Sequence, residues 1–358
     1  MRSATHAIIH LKALAHNVKQ IRLRAPSSKL MAVVKANAYG HGLVRVAQAL
    51  AGLVDGFAVA RVEEGVKLRK SGLSERIVVL EGFVSEAELQ YLLDYDLEAS
   101  LHAFHQLTIL TNTAPAPKAL GVWLKIDTGM NRLGFKPSEV PGVYQHLIDL
   151  KNVKKPLHFM SHFANADDTQ DPKTQTQLAR FDELTFAYNG EKSIANSAGI
   201  LGCPNTQKDW IRAGLLLYGI SPFFNATGAE LNLKPLMSLH SRIIAIREVA
   251  AGETVGYSST WTSPTKTKLG VIAIGYGDGY PRQAKNGTPV LINDTRVPIV
   301  GRVSMDMITV DLGLQSSVKI GDKATLWGDG LPVEEIATWA NTIPYTLVCG
   351  ITQRVAMF

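Results

Sequence analysis

Through the first two thirds of the chain, short apolar runs alternate with stretches whose apolar residues recur at helical spacing. KALAHNVKQIRLR places Leu14, Val18 and Ile21 on one face, the pattern of an amphipathic helix. LMAVV reads as a buried strand, and LVRVAQALA returns to helix. GFAVA predicts a strand, followed by VEEGVKLRKSG, a helix ended by glycine as helix C-termini prefer. RIVVL and SEAELQYLLDYD repeat the cycle, with Ser85 as N-cap and Glu88 completing a capping box. Later strands are LEAS, GVWLKI, LHFMSH, KSIAN and the WIRAGLLLYG segment. Strands recurring roughly every 20 to 40 residues, with helices between them, imply βα units and parallel pairing. So many units in about 225 residues fit a (β/α)8 barrel better than an open sheet.

After NLKPLMSLH the pattern changes to Val/Ile/Thr runs broken by glycine-rich turns: SRIIAIREV, KLGVIAIGYGDG, TPVLIN, RVPIVG, MITVDLG and KATLWGD. Only PVEEIATWAN looks helical there. The organisation expected is an α/β barrel over residues 8–230 and a smaller, mostly β domain over 231–358, with which the first few N-terminal residues are able to pack. No internal repeat or low-complexity tract interrupts either part.

Composition narrows the class without changing this picture. At 358 residues there is room for two domains or for one barrel with an extension. Hydrophobic residues at 46% and charged residues at 19% exclude wholesale disorder. The net charge of +6 has no long basic block behind it; the densest cluster is Lys151, Lys154 and Lys155, which suits mild attraction of small anions and not a nucleic-acid arm. Two cysteines, Cys203 and Cys349, without CxxC spacing fit a reducing cytosol and no disulfide framework. The N-terminal MRSATHAIIHLKALAHN lacks the apolar core of a signal peptide, and no apolar run approaches the ~20 residues of a membrane span. A soluble, cytoplasmic protein is expected.

Side chains at the C-terminal ends of barrel strands face the usual site of chemistry. Lys35, directly after AVV in VVKANAYGHG, has that address. It is either a lysine that simply leaves the strand for water or a Schiff-base lysine whose amine is made nucleophilic by desolvation. GVWLKIDTGMNRLGF carries Lys125 and Asp127 into a loop bearing Asn131 and Arg132, and an arginine fork suits a carboxylate substrate. His158 and His162 are four apart, but on a strand they lie about 13 Å from each other, so no metal site is read from them. His162 at the strand end could pack on a planar cofactor. Ser197 in SIANSAGI and Arg212 and Gly214 in WIRAGLLLYG offer a hydroxyl and glycine-flanked amides of the kind that bind phosphate, a weak signal in isolation. GYGDGYPR lacks the spacing of a nucleotide loop. Tyr257 in GETVGYSSTW is either an exposed phenol or a packing residue.

Taken together, these segments resemble the alanine racemase family, whose members use pyridoxal 5'-phosphate (PLP). AVVKANAYGHG looks like the family's cofactor-lysine motif, and KIDTGMNRLGF, SHFANAD, NSAG, RAGLLLYG, VGYSSTW, GYGDGYPR and GRVSMDM follow in the family's order. The resemblance spans essentially the whole chain, and departures occur only at neighbours such as Ser258 and Ser304. It implies a PLP barrel followed by a β domain, and a homodimeric isomerase that interconverts L- and D-alanine, supplying or consuming D-alanine for peptidoglycan. It implies that Lys35 holds PLP and serves one face of the substrate Cα, while Tyr257 of the partner subunit serves the other. Arg132 would hold the substrate carboxylate with help from the Met305 amide, also contributed across the interface, as is Asp306. Tyr39, Ser197, the Gly214 and Leu215 amides and Tyr345 would bind the cofactor phosphate. His162 would lie beside the ring and Arg212 would face its nitrogen. Tyr276 and Arg282 match positions near the substrate entry passage, and Lys125 matches a lysine that is carbamylated in some members. No metal, nucleic acid or membrane is implied.

The chemistry is consistent with these residue types. Two bases on opposite faces exchange a Cα proton in both directions, and Lys and Tyr need lowered pKa values to serve near neutral pH. Arg212, a cation that does not give up its proton, would leave the ring nitrogen unprotonated and favour reprotonation over transamination. Two other readings are an amino-acid decarboxylase on a PLP barrel, where a carboxylate would face the ring nitrogen, and a non-catalytic PLP carrier, which has no use for Tyr257.

Overall fold

The computed structural model describes residues 4–114 and 117–358. Its first strand, β1 (His6–Ile9), belongs to a second sheet, and the next eight make the barrel. These are β2 (Lys29–Val33), β3 (Gly56–Val59), β4 (Arg76–Val79), β5 (Glu98–Leu101), β6 (Gly121–Lys125), β7 (His158–Met160), β8 (Lys192–Ser193) and β9 (Trp210–Ala213). Each pairs in parallel with the next, and β9 closes on β2 through registers such as Met31 with Arg212. Such strands are covered on both sides, which is why they read as continuous apolar runs: Leu30, Met31, Ala32, Phe57, Ala58 and Val78 are all fully buried. This is the (β/α)8 architecture expected from the periodicity.

The intervening helices start and stop where local chemistry directs. Ser85 Oγ accepts the Glu88 N–H at 3.2 Å, while the Glu88 carboxylate reaches back to the Val84 N–H at 2.7 Å, one residue beyond the donor a standard capping box would use. Helix Val62–Lys70 has Glu63 and Glu64 in its first turn and Lys67, Arg69 and Lys70 in its last, which complements its dipole.

The N-terminal end of the barrel is closed by an ionic cage built from residues at strand starts. Glu191 accepts from Lys29 Nζ and Arg76 Nη1 at 2.5 Å each, and Arg76 Nε meets Glu98 Oε1 at 3.0 Å. Trp123 Nε1 donates to Glu98 Oε2 at 2.7 Å, and the Arg76 guanidinium lies 5.1 Å from the Trp210 ring centre. Burial opposes ionisation of Glu191, but the hydrogen-bonded Lys29 and Arg76 bring its pKa down to about 2. For Glu98 burial prevails over Arg76, and its pKa rises. With this end occupied by a structural network, the opposite mouth is left for chemistry.

By internal packing the chain divides into a unit over Ala15–Leu217 and a unit joining Tyr218–Phe358 to the N-terminal segment through Leu14. The spine of the latter is β10 (Met237–Val249). The strands that follow are β11 (Thr254–Val255), β12 (Trp261–Thr262), β13 (Thr267–Ile272), β14 (Pro289–Ile292), β15 (Thr295–Pro298), β16 (Ile308–Asp311), β17 (Lys323–Trp327) and β18 (Ala356–Met357). The sheet runs β15-β14-β17-β10-β1-β18, with β13 pairing the later part of β10 and also β16. His6 of β1 pairs with His240 of β10, so the N-terminal strand is part of this sheet. PVEEIATWAN forms the helix Val333–Trp339 as expected, but a second helix, Pro344–Cys349, was not foreseen. PYTLVC has too few residues to show a period and carries β-branched Thr and Val; Pro344 at its first turn, with φ preset for a helix, is the signal that identifies it.

Candidate active site

Lys35 leaves β2 where the Val34 N–H is still bonded to Ala58 O of β3, at 2.9 Å. The chain then turns left-handed for four consecutive non-glycine residues, Ala36, Asn37, Ala38 and Tyr39, with φ of 52°, 56°, 53° and 51°. L-residues resist this conformation by roughly 1–2 kcal/mol each, so it persists only where its surroundings hold it. Here Ala38 N–H bonds Val34 O at 2.8 Å, Gly40 N–H bonds Ala36 O at 3.0 Å, and Leu43 N–H bonds Asn37 Oδ1 at 2.9 Å. The ring of His41, lowered to a pKa of about 4 by burial and therefore neutral, lies with Nδ1 3.0 Å from Ala38 O and 2.8 Å from Tyr39 O. Nδ1 can meet two carbonyls only as an N–H donor, which fixes the tautomer. The reversed turn points Tyr39 inward, 6% exposed, toward the loop after β9.

There a small cradle forms. A Cβ added to Gly214 would stand 2.7 Å from Tyr39 Oη, so only glycine lets the backbone come this close. Ser197 Oγ accepts the Gly214 N–H at 3.0 Å, which leaves the serine proton available to a ligand. Ser197 opens the short helix Ser197–Gly202, whose start is set by Asn196 Oδ1 accepting from Gly199 N–H at 2.9 Å. Leu215 begins the next turn and is buried.

The opposite wall is cationic. Arg212, on β9 and 3% exposed, donates to Ser193 Oγ at 2.8 Å, Ser161 O at 2.7 Å, Ile194 O at 3.3 Å and His162 Nδ1 at 3.2 Å. It has no carboxylate partner among the described residues. Burial lowers its pKa to about 10, which still leaves it charged at neutral pH. Because guanidinium only donates, His162 must accept at Nδ1 and carry its proton on Nε2. Burial, then Arg212 and Lys125, push the His162 pKa well down and keep the ring neutral. Lys125, at the end of β6 and buried, is brought to about 7 by burial and by Arg212, Arg132 and Lys35. Lys35 itself is lowered, first by burial and then by Arg132.

Asp127 shapes the loop that presents Arg132. Its carboxylate accepts the Gly129 and Asn131 N–H groups at 3.0 Å each and pairs with Lys136 at 2.8 Å. Arg132 makes neither an ion pair nor a hydrogen bond among the described residues, so its fork is uncommitted. A cavity lined by Lys125, Met130, Arg132, Leu133 and His162 opens beside it.

The remaining sequence candidates lie in the C-terminal unit. Tyr257 is 69% exposed on a turn whose neighbours Ser258 and Ser259 have φ of 59° and 48°. Gly256 and Gly301 pack this turn against Val255 and Arg302, three residues ahead of Met305. A Cβ on Gly275 would lie 2.2 Å from Ser304 O and 2.3 Å from Met305 O, and the Gly277 N–H bonds Met305 O at 2.8 Å, so the turns bearing Tyr276 and Met305 form one surface. Arg354 fastens it, meeting Asp306 at 2.7 Å and Asp278 at 3.4 Å. Arg282 is exposed, and Tyr345 lies on the Pro344–Cys349 helix. Ser161, Ser193, His41 and Arg354 were not singled out from the sequence; His41 and Ser161 lie inside the quoted AVVKANAYGHG and SHFANAD motifs and Ser193 in the quoted strand KSIAN, whereas Arg354 had no local signal.

The fold and these side chains define a class: a (β/α)8 barrel with a desolvated lysine amine at the end of its first barrel strand and a cationic, hydroxyl-rimmed pocket beside it. Models of the alanine racemase N-terminal and C-terminal domains match residues 9–222 and 236–358. The chain belongs to the alanine racemase family. It is 51% identical to the alanine racemase of Shewanella amazonensis, covering 100% of this chain and 99% of that one, and 50% identical to that of Vibrio cholerae, covering 100% and 98%. Among solved structures it resembles the biosynthetic alanine racemase of Pseudomonas aeruginosa, with TM-score 0.96, 41% identity and coverage of 100% and 99%. It also resembles the alanine racemase of Bartonella henselae with covalently bound pyridoxal phosphate, with TM-score 0.89, 29% identity and 99% coverage of both. The decarboxylase and carrier readings find no support in these matches.

Proposed function

We propose that the protein interconverts L- and D-alanine with PLP held on Lys35. The observation that carries this is the charge of the barrel mouth. Arg212, Arg132, Lys125 and Lys35 converge, and the carboxylates near them are Asp127, already paired with Lys136, and Glu64 and Glu81 on the side of Lys35; the pocket therefore suits an anionic ligand, and a phosphorylated cofactor with a carboxylate substrate supplies that charge. The Ser197, Tyr39 and Gly214 cradle fits the phosphate, with the Leu215 amide beside it; the assignment of Tyr345 to the same phosphate rests on the family resemblance. The neutral face of His162 fits an aromatic ring, and Arg212 can only donate toward a ring nitrogen.

When bound, PLP supplies an electron sink that acidifies the substrate Cα–H bond. The protein's own groups do the rest. Arg132, with the Met305 amide, would hold the substrate carboxylate and so orient the Cα–H bond for the two bases. Lys35 Nζ, eased toward the neutral amine by burial, takes or returns the proton on one face. Tyr257 of the partner subunit does the same on the other, which makes the working form a homodimer. Arg212 keeps its proton, which limits transamination. Lys125, brought to about 7 and so partly neutral, would brace Arg132 as its carbamate, the form this lysine takes in some family members, while Tyr276, Arg282 and Asp306 would line the substrate's approach. No helix among the described residues is long and apolar enough to cross a membrane, in keeping with a cytoplasmic supply of D-alanine for peptidoglycan.

The test is proton exchange in deuterium oxide followed by NMR, alongside chiral analysis of the product. The wild-type chain converts L-alanine to D-alanine; no conversion sinks the reading. Tyr257→Phe lowers racemisation by about 10²–10⁴-fold yet retains solvent exchange at Cα for the enantiomer whose proton faces Lys35. Equal loss of exchange from both enantiomers refutes the two-base arrangement.

A further inference from the structure

One carboxylate joins the two strand ends beside the reactive lysine. Glu64 Oε1 accepts the N–H of Ala36, the residue directly after Lys35, at 2.7 Å. Its Oε2 accepts the N–H of Ala60, directly after β3, at 2.9 Å, and that of Arg61 at 3.3 Å. β2 and β3 are neighbours in register, Val33 opposite Ala58, so the side chain fastens the barrel rim where Lys35 emerges. Ala36 is also the first residue of the left-handed run, whose last carbonyls are held by His41. Glu64 thus grips one end of a strained segment and His41 the other, with Lys35 and Tyr39 at its two ends.

The arrangement exceeds what helix capping needs. A capping glutamate turns back on its own helix start, and Oε2 alone does that here. Oε1 crosses to another strand instead. Glu64 makes no ion pair among the described residues, so its charge remains uncompensated by a base. The charged groups around Lys35 are Arg132, Arg212 and Lys125, which disfavour its protonation, and Glu81 and Glu64, which favour it, beside neutral His162. Of the two acids, Glu81 is well exposed and faces Arg61 at 3.9 Å.

We propose that Glu64 is a positioning residue for Lys35: its carboxylate locks the backbone from which the amine projects and, together with Glu81, sets negative charge against the surrounding cations. The inference rests on Lys35 being the reactive lysine, but it is read on the chain itself and not through turnover. Glu64→Gln keeps the size and removes the charge; Glu64→Asp keeps the charge and shortens the reach. In the cofactor-loaded full chain, Glu64→Gln raises amide hydrogen exchange at residues 36–40 by about tenfold or more, the loss of a charge-assisted bond, with the other barrel strands unchanged. In the cofactor-stripped full chain, the pH midpoint for reductive methylation of Lys35, followed by peptide mass, moves lower in Glu64→Gln and stays near wild type in Glu64→Asp. Unchanged exchange at 36–40, exchange raised throughout the barrel, or a methylation midpoint equal in Glu64→Gln and wild type each overturns the proposal. Failure of the wild-type chain to racemise alanine sinks the functional reading instead and leaves these two readouts standing.

Discussion

Gly214→Ala probes whether Tyr39 and the turn after β9 act as one cradle. The added methyl would lie 2.7 Å from Tyr39 Oη, 3.3 Å from its Cζ and 3.4 Å from its Cε2. Ordinary contact begins near 3.4 Å, so the hydroxyl must retreat by about 0.7 Å. Tyr39 has little room to do so: it is 6% exposed and hangs from a left-handed backbone held at both ends. Gly214 is not among the glycines with positive φ, so the alanine brings no backbone strain and the contact is the whole effect. Overpacking of this kind costs about 1–3 kcal/mol, which is roughly 5- to 150-fold in PLP affinity if the cradle is built as described. Tyr39→Phe removes the nearest atom. On its own it weakens binding by losing a hydroxyl; combined with Gly214→Ala it relieves most of the steric cost. The double variant should therefore bind PLP better than the sum of the singles predicts, by about 1 kcal/mol or more. The assay is absorbance titration of the four cofactor-stripped proteins with PLP, with circular dichroism to check folding. Additive effects, or a Gly214→Ala affinity equal to wild type, refute the cradle.

Two further predictions concern Arg212 and the closed end of the barrel. Arg212→Glu replaces a group that keeps its proton with one able to share it, so pyruvate formed per racemisation event rises; an unchanged ratio removes the argument from Arg212. Glu191 has a folded pKa of about 2 against an ordinary 4.5, so its stabilisation is fully present above about pH 4.5 and is lost as pH falls toward 2. That difference is at most about 3 kcal/mol for a side chain 23% exposed. Glu191→Gln should lower the urea midpoint at pH 7 and flatten its decline in acid, and an identical acid limb in both proteins contradicts the cage.

The strand and helix order was legible because burial on both faces of a parallel strand leaves a continuous apolar run, and a helix leaves a 3.6-residue period. Both are local records of the backbone. Residues whose chemistry is carried by type and strand-end address, Lys35, Lys125, Arg132 and Arg212, could likewise be singled out from the chain alone. The short Pro344–Cys349 helix fell below the length at which a period shows. The left-handed run from Ala36 to Tyr39 could not be foreseen, since no glycine marks it before Gly40 and its stability comes from distant partners. The same holds for His162, whose tautomer is set by Arg212 fifty residues away, and for Glu64, which reaches Ala36 only because β2 and β3 lie side by side. Sequence determined which groups the protein owns and the order of its elements. Closure of the barrel decided which groups meet, because hydrogen bonds and burial depend on positions that only the folded chain brings together.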